Sequence, residues 1–173
     1  MTRSEKKIRD FEEKLKSRDR RILLKAIRLL REEEPWEGAV GMLAELYDET
    51  DDLSVRKAVQ DFMNDLKDKS AGREVIEEMK KKHKTQTICM LASSCWQSGL
   101  DYSGYLNDFA GIFVSSDLEV AIECYTVIKE SAGRVSVKAR NEVSDILIDA
   151  APSLSEEKAA LANDLIMSFR KKA

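Results

Sequence analysis

Counting on from Val55, the apolar residues Ala58, Val59, Phe62, Met63 and Leu66 come three, four, seven, eight and eleven positions later. On an α-helix these positions form one stripe. Arg56, Lys57, Gln60, Asp61, Asn64 and Asp65 take the other side. The same template recurs along the chain. Ile22 is followed by Ala26, Leu29 and Leu30, Ile88 by Ala92, Cys95 and Trp96, and Val120 by Cys124, Val127 and Ile128. A last copy has Lys158 at the anchor, then Ala162, Leu165, Ile166 and Phe169. The anchors lie 33, 33, 32 and 38 residues apart. A period of roughly 30 to 45 residues is that of stacked helical hairpins.

Between these helices the pattern predicts five others, over about 4–16, 36–48, 71–82, 102–114 and 136–150. Ile8, Phe11 and Leu15 stripe the first of them, and Tyr105, Leu106, Phe109 and Phe113 the fourth. Breakers separate the helices: "EEEPW", "KSAG", "SGLDYSG", "SAG" and "AAPSLSEE". With only 7 Gly and 2 Pro among 173 residues, the chain lacks the frequent turns an all-β fold needs. No stretch reads as an interdomain linker. The expectation is one domain over 1–173, built of units 1–33, 34–68, 69–99, 100–133 and 134–173. At each join the second helix needs a start signal. In "DDLSVRKAV" Asp51 or Asp52 supplies it, as an acceptor for unpaired N–H groups at the positive end of the helix.

Asp52, Val55, Arg56 and Val59 resemble the signature of the HEAT-repeat (armadillo-type) family, in which an Asp precedes the second helix and a Val-Arg pair opens it. The resemblance covers the whole chain as architecture. Its full signature occurs once, because Asp19 and Asp117 precede helices that lack the Arg. "CWQSGLDYS", from Cys95 to Ser103, is similar to a segment of small uncharacterised bacterial HEAT-like proteins. The resemblance implies an all-α fold, an α-α superhelix (right-handed solenoid) of about five hairpins, with the Asp and Arg linking neighbouring units.

Several function classes lack their residues. The start, "MTRSEKKIRDFEEK", has no apolar signal core, and no apolar run is long enough to span a bilayer. Three widely spaced cysteines, Cys89, Cys95 and Cys124, suit a reducing compartment. A cytoplasmic location without a membrane partner is therefore expected. The formal charge of −3 disfavours nucleic acid as a partner. His83, the only histidine, has no Cys or His at ligand spacing, and within "KKKHK" it reads as a solvated residue. Cys95, Cys124 and Trp96 fall on the apolar template and read as core. Trp36, after Pro35, should cover the join of the first two units. The acidic groups Glu32 to Glu34, Asp48 to Asp52 and Glu156–Glu157 sit at helix ends, where solvation or capping accounts for them. No phosphate loop, nucleophile elbow or zinc motif is present. We expect no catalytic residue, cofactor or metal, and so not an enzyme.

One constellation points to binding. In repeat arrays the second helices commonly line the concave surface, and equivalent positions form rows across it. Counted from the anchors, these rows contain Ile27, Gln60, Ser93 and Tyr125, then Arg28, Asp61 and Ser94, then Arg31, Asn64, Gln97 and Lys129. Amides and hydroxyls can pair with the main chain of an extended peptide. The expected function is a protein-interaction scaffold that holds a protein or peptide segment through Arg28, Arg31, Gln60, Asn64, Ser93, Gln97 and Tyr125. The alternative follows from HEAT-like DNA glycosylases. There Arg21, Lys25, Arg28 and Arg31 would grip phosphates while Trp96 or Tyr125 faced the groove. Asp61, Glu123 and Asp164 on the same surface oppose it.

Overall fold

A computed structural model describes residues 3–32 and 36–171. It contains ten α-helices: α1 (Arg3–Leu15), α2 (Arg20–Arg31), α3 (Ala39–Glu49), α4 (Leu53–Asn64), α5 (Lys69–Met79), α6 (Thr85–Gln97), α7 (Leu106–Ser115), α8 (Leu118–Ser131), α9 (Val137–Ala150) and α10 (Glu156–Lys171). Short 3₁₀ turns cover Ser103–Tyr105 and Ala151–Ser153, and no strand occurs among the described residues. The chain is all-helical. Each odd-numbered helix packs on the next even-numbered one, as five hairpins. The even-numbered helices also touch in series, from α2 through α4, α6 and α8 to α10. In the odd-numbered layer α1 meets α3, α3 meets α5 and α7 meets α9, whereas α5 and α7 make at most marginal contact. Expected boundaries such as 136–150 lie within a few residues of those observed. Pro35, Glu33 and Glu34 lie outside the described residues.

Helix starts follow the capping chemistry. Asp52 Oδ1 accepts from the N–H groups of Ser54 (2.8 Å) and Val55 (3.2 Å), and Asp19 and Asp68 act likewise for α2 and α5. Arg56 spans two units, donating from Nε to Thr50 O just past the end of α3 (2.7 Å) and from Nη1 to Gln86 Oε1 on α6 (3.2 Å). Trp36 stacks edge-on against Phe11, with centroids 5.2 Å apart, at the join of the first two units.

The buried faces correct the register in two helices. Their anchors are Leu23, Val55, Thr87, Val120 and Lys158, and four residues further on Ile27, Val59, Leu91, Cys124 and Ala162 are all buried. In α2 the core stripe is Leu23, Ala26, Ile27 and Leu30, so the expected anchor Ile22 is 42% exposed and Leu29 is 44% exposed. The sequence "ILLKAIRLL" holds two overlapping apolar stripes, and the packing of α1 and α4 selects one. Ile27, expected on the surface row, is buried. In α6, Thr87 and Ser94 are buried, the latter because its hydroxyl donates to Leu91 O (2.7 Å) and leaves no orphan donor. Trp96, expected in the core, is 39% exposed.

Lys158 does not break the fifth anchor. It is buried there, and its ammonium donates to Val114 O and Ser116 O, both at 2.8 Å, with the Phe113 ring 5.6 Å away. These carbonyls belong to the end of α7, where intrahelical donors run out.

Candidate functional site

The outer surface of the even-numbered helices carries the residues expected to bind a partner. Two of the seven meet each other: Asn64 Nδ2 donates to Gln97 Oε1 across the α4–α6 joint (2.8 Å). The Asn64 Oδ1 acceptor is buried and has no hydrogen-bond partner. Tyr125 donates to Asp164 Oδ2 on α10 (2.6 Å), and Lys129 reaches both groups, at 2.5 Å and 2.7 Å. Arg31 pairs with Asp65 across the α2–α4 joint. Arg28 stays within its own chain turn, on Glu32 (3.4 Å), and Ser93 donates to Met90 O of its own helix (3.0 Å). Gln60 is half-buried. The expected set is thus spread along the whole layer rather than gathered in one pocket, and part of it ties successive helices together.

Trp96 adds to this surface. Its indole N–H donates to Glu123 Oε2 on α8 (2.8 Å), while Ile122 of α8 is 44% exposed. The middle of the layer therefore combines amides, hydroxyls and an accessible aromatic edge. Charge falls along it. Helix α2 has five basic residues and no acidic one, whereas α8 has three acidic residues against Lys129.

A second cluster was not expected. His83 is buried between two carboxylates, with Nε2 2.7 Å from Glu78 Oε1 and Nδ1 3.8 Å from Asp48 Oδ1, and its side chain is 7% exposed. It is not a solvated residue. Glu78 also accepts from Lys81 (2.6 Å), and Asp48 accepts from the Lys84 N–H (2.8 Å) and the Thr87 hydroxyl (2.6 Å). Burial pushes the Asp48 carboxyl up, but the hydrogen bonds from Thr87 and Lys84 outweigh it and hold the group below its ordinary range. Burial pushes Glu74 up more than the Gly41 and Gly38 N–H groups bring it down. Gly41 allows this approach, since a Cβ there would sit 3.2 Å from Glu78 Oε2. One signal was legible: Glu78 falls three residues after Val75, inside the stripe of Val75, Ile76 and Met79, five residues before the histidine. The cluster joins α3, α5 and the start of α6, and the hydrogen bonds of His83, Glu78 and Asp48 named above all run to groups of this same region. That is the chemistry of a structural tie.

Neither a family model nor a curated protein matches the chain. Burial pushes the Cys89 thiol up to about 11 and the Cys95 thiol up to about 12, and it raises Cys124 as well, so all three are protonated at neutral pH. Among the described residues no three His, Cys, Asp or Glu side chains are grouped to hold a metal ion. No described helix is long and apolar enough to cross a membrane.

Proposed function

We propose that the chain is a HEAT-like α-α superhelix that acts as a protein-interaction scaffold and binds an extended protein segment across the outer face of α2, α4, α6, α8 and α10. The observation that carries this reading is the centre of that face. Gln60, Asn64, Ser93 and Gln97 bring amides and a hydroxyl together there, with Gln97 exposed and the other three half-buried. Amide side chains offer both donors and acceptors, which an extended main chain needs once water is excluded.

A concave even-numbered layer fits the packing. Its helices touch in unbroken series, while clefts open between odd-numbered helices. One of about 440 Å³ lies between α1 and α3, and one of about 470 Å³ lies between α5 and α7. Lys80 and Asp108 span the latter joint at 2.8 Å. Arg56, reaching Gln86, supports the HEAT-like reading of the inter-unit link.

The test compares partners recovered by affinity purification with the native chain and with Asn64→Ala/Gln97→Ala. The double variant should lose a partner that the native chain retains, while its stability falls by only about 0.5–1.5 kcal/mol, the share of the one hydrogen bond across the α4–α6 joint. Full retention of every partner sinks this placement. The nucleic-acid reading rests on the five basic residues of α2. It would take precedence if a duplex oligonucleotide bound at physiological salt, the binding fell steeply with added salt, and Arg28→Glu/Arg31→Glu abolished it.

A further inference from the structure

Trp96 on α6 and Ile122 on α8 expose large apolar side chains, at 39% and 44%. Helices α4 and α10 pack on the far sides of these two helices, so both residues lie inside the array. A further repeat unit at either end would leave them open. The Glu123 carboxylate that takes the indole N–H (2.8 Å) directly follows Ile122, which brings the two apolar groups to one joint. Cys89 and Ser93, both half-buried, stand seven and three residues before Trp96 and continue the strip toward the start of α6. An accessible tryptophan beside an aliphatic group is the kind of residue that carries most of the energy of a protein contact.

The charge around this strip has one sign. Helix α6 has no charged residue, and the start of α8 contributes Asp117, Glu119 and Glu123. Burial raises the Cys89 thiol first, and the charges of Glu119, Glu123 and Asp117 raise it further, so the three carboxylates converge on the strip. Other acids of the layer are neutralised within it: Asp61 by Lys57, Asp65 by Arg31 and Asp164 by Lys129. Glu119 and Glu123 have no Lys or Arg at ion-pair distance among the described residues. Lys158 on the neighbouring helix is buried, with its ammonium on Val114 O and Ser116 O. Four residues apart on α8, Glu119 and Glu123 are side by side and can share one cation.

We propose that the segment held by this face carries a basic residue next to a large apolar one. The apolar side chain packs on Trp96 and Ile122, and the cation sits between Glu119 and Glu123. This names the partner's chemistry and rests on the scaffold reading above. A guanidinium or ammonium there pairs with carboxylates that lack a cation of their own, and it lies beside the indole that Glu123 holds. The five basic residues of α2 repel the same segment and keep it on the α6–α8 part of the layer. Nucleic acid and anionic lipid have the wrong charge for this joint.

The experiment is a selection from a random library of peptides of about twelve residues, long enough to cross five helices spaced about 9 Å apart. Peptides are selected on the full native chain, and their affinities are measured on it and on Glu119→Gln/Glu123→Gln. Glutamine at 123 keeps an acceptor for the Trp96 indole, and a urea midpoint equal to the native one shows that the variant is folded. The selected peptides should share a Lys or Arg next to a large apolar residue, and added salt should weaken their binding. On the double variant affinity should fall about two- to thirtyfold, the share of two exposed ion pairs. Changing the peptide's basic residue to Gln should weaken binding to the native chain by a similar factor. It should hardly change binding to the variant, where the pair is already lost. Ile122→Ser should weaken binding about tenfold through the apolar residue instead. A selection dominated by peptides without a basic residue overturns this assignment and leaves the scaffold reading in place. Peptides that bind the double variant as tightly as the native chain do the same. Recovery of no peptide overturns both.

Discussion

Replacing Lys158 by methionine tests whether a charged residue at a core anchor holds the last two hairpins together. Methionine keeps the unbranched stem against Phe113 but removes both donors, leaving Val114 O and Ser116 O without the ammonium that reaches them at 2.8 Å. Hydrogen bonds from a charged donor contribute about 1.5–3 kcal/mol each. Against this stands the desolvation of the ammonium, which costs about several kcal/mol and which methionine escapes. Both carbonyls are on half-buried residues, so water can reach them in part. The balance is a loss of about 1–3 kcal/mol. With an m-value of about 2 kcal/mol per molar, the urea midpoint should fall by roughly 0.5–1.5 M. The pH dependence supplies a second readout. Burial holds the Lys158 ammonium below its ordinary range, so the folded chain releases this proton before the unfolded chain does. Between that lowered value and 10.5 the unfolded state binds more protons, and the Lys158 contribution to stability rises with pH. Lys158→Met should lack that rise. A variant as stable as the native protein, with the same alkaline profile, would refute the capping argument.

The thiols, buried at Cys95 and Cys124 and half-buried at Cys89, act in the opposite direction. Their folded values lie above the ordinary 9.0, so their contribution is complete below pH 9 and is lost as pH rises through about 11 for Cys89 and about 12 for Cys95. Urea titrations across this range should lose about 1.4 kcal/mol per pH unit for each fully buried thiol, and Cys95→Ala should remove one such share. His83→Ala should leave the buried Glu78 carboxylate with Lys81 alone and cost about 1–3 kcal/mol, whereas a solvated histidine would cost almost nothing. Thermal or urea unfolding of that single variant distinguishes the two.

The helices themselves were legible because each is a local matter. The stripe from Val55 to Leu66, the cap at Asp52 and the breakers between segments depend on neighbours within a few turns, and the observed α4 begins at that cap and runs to Asn64, just short of Leu66. The even spacing of five such stripes carried the hairpin pairing as well. The outer surface was legible in part: Asn64 and Gln97, placed in one row by counting, do meet across a joint. Where the reading failed, the deciding partner was distant in sequence. Helix α2 offers two apolar stripes, and only the positions of α1 and α4 bury Leu23 and leave Ile22 and Leu29 outside. Trp96 has the composition of a core residue, yet Glu123 holds its indole at the surface. A polar side chain enters the interior only when fixed partners replace its water. For Lys158 they are at the end of α7, far along the chain, and His83 has Asp48 on α3 on one side as well as Glu78 five residues before it on the other. Helical period and capping thus followed from the sequence alone. Which face of a doubly apolar helix is buried, and which charged groups join the core, was decided by tertiary contacts, because the desolvation of each group is offset only by the groups that packing brings to it.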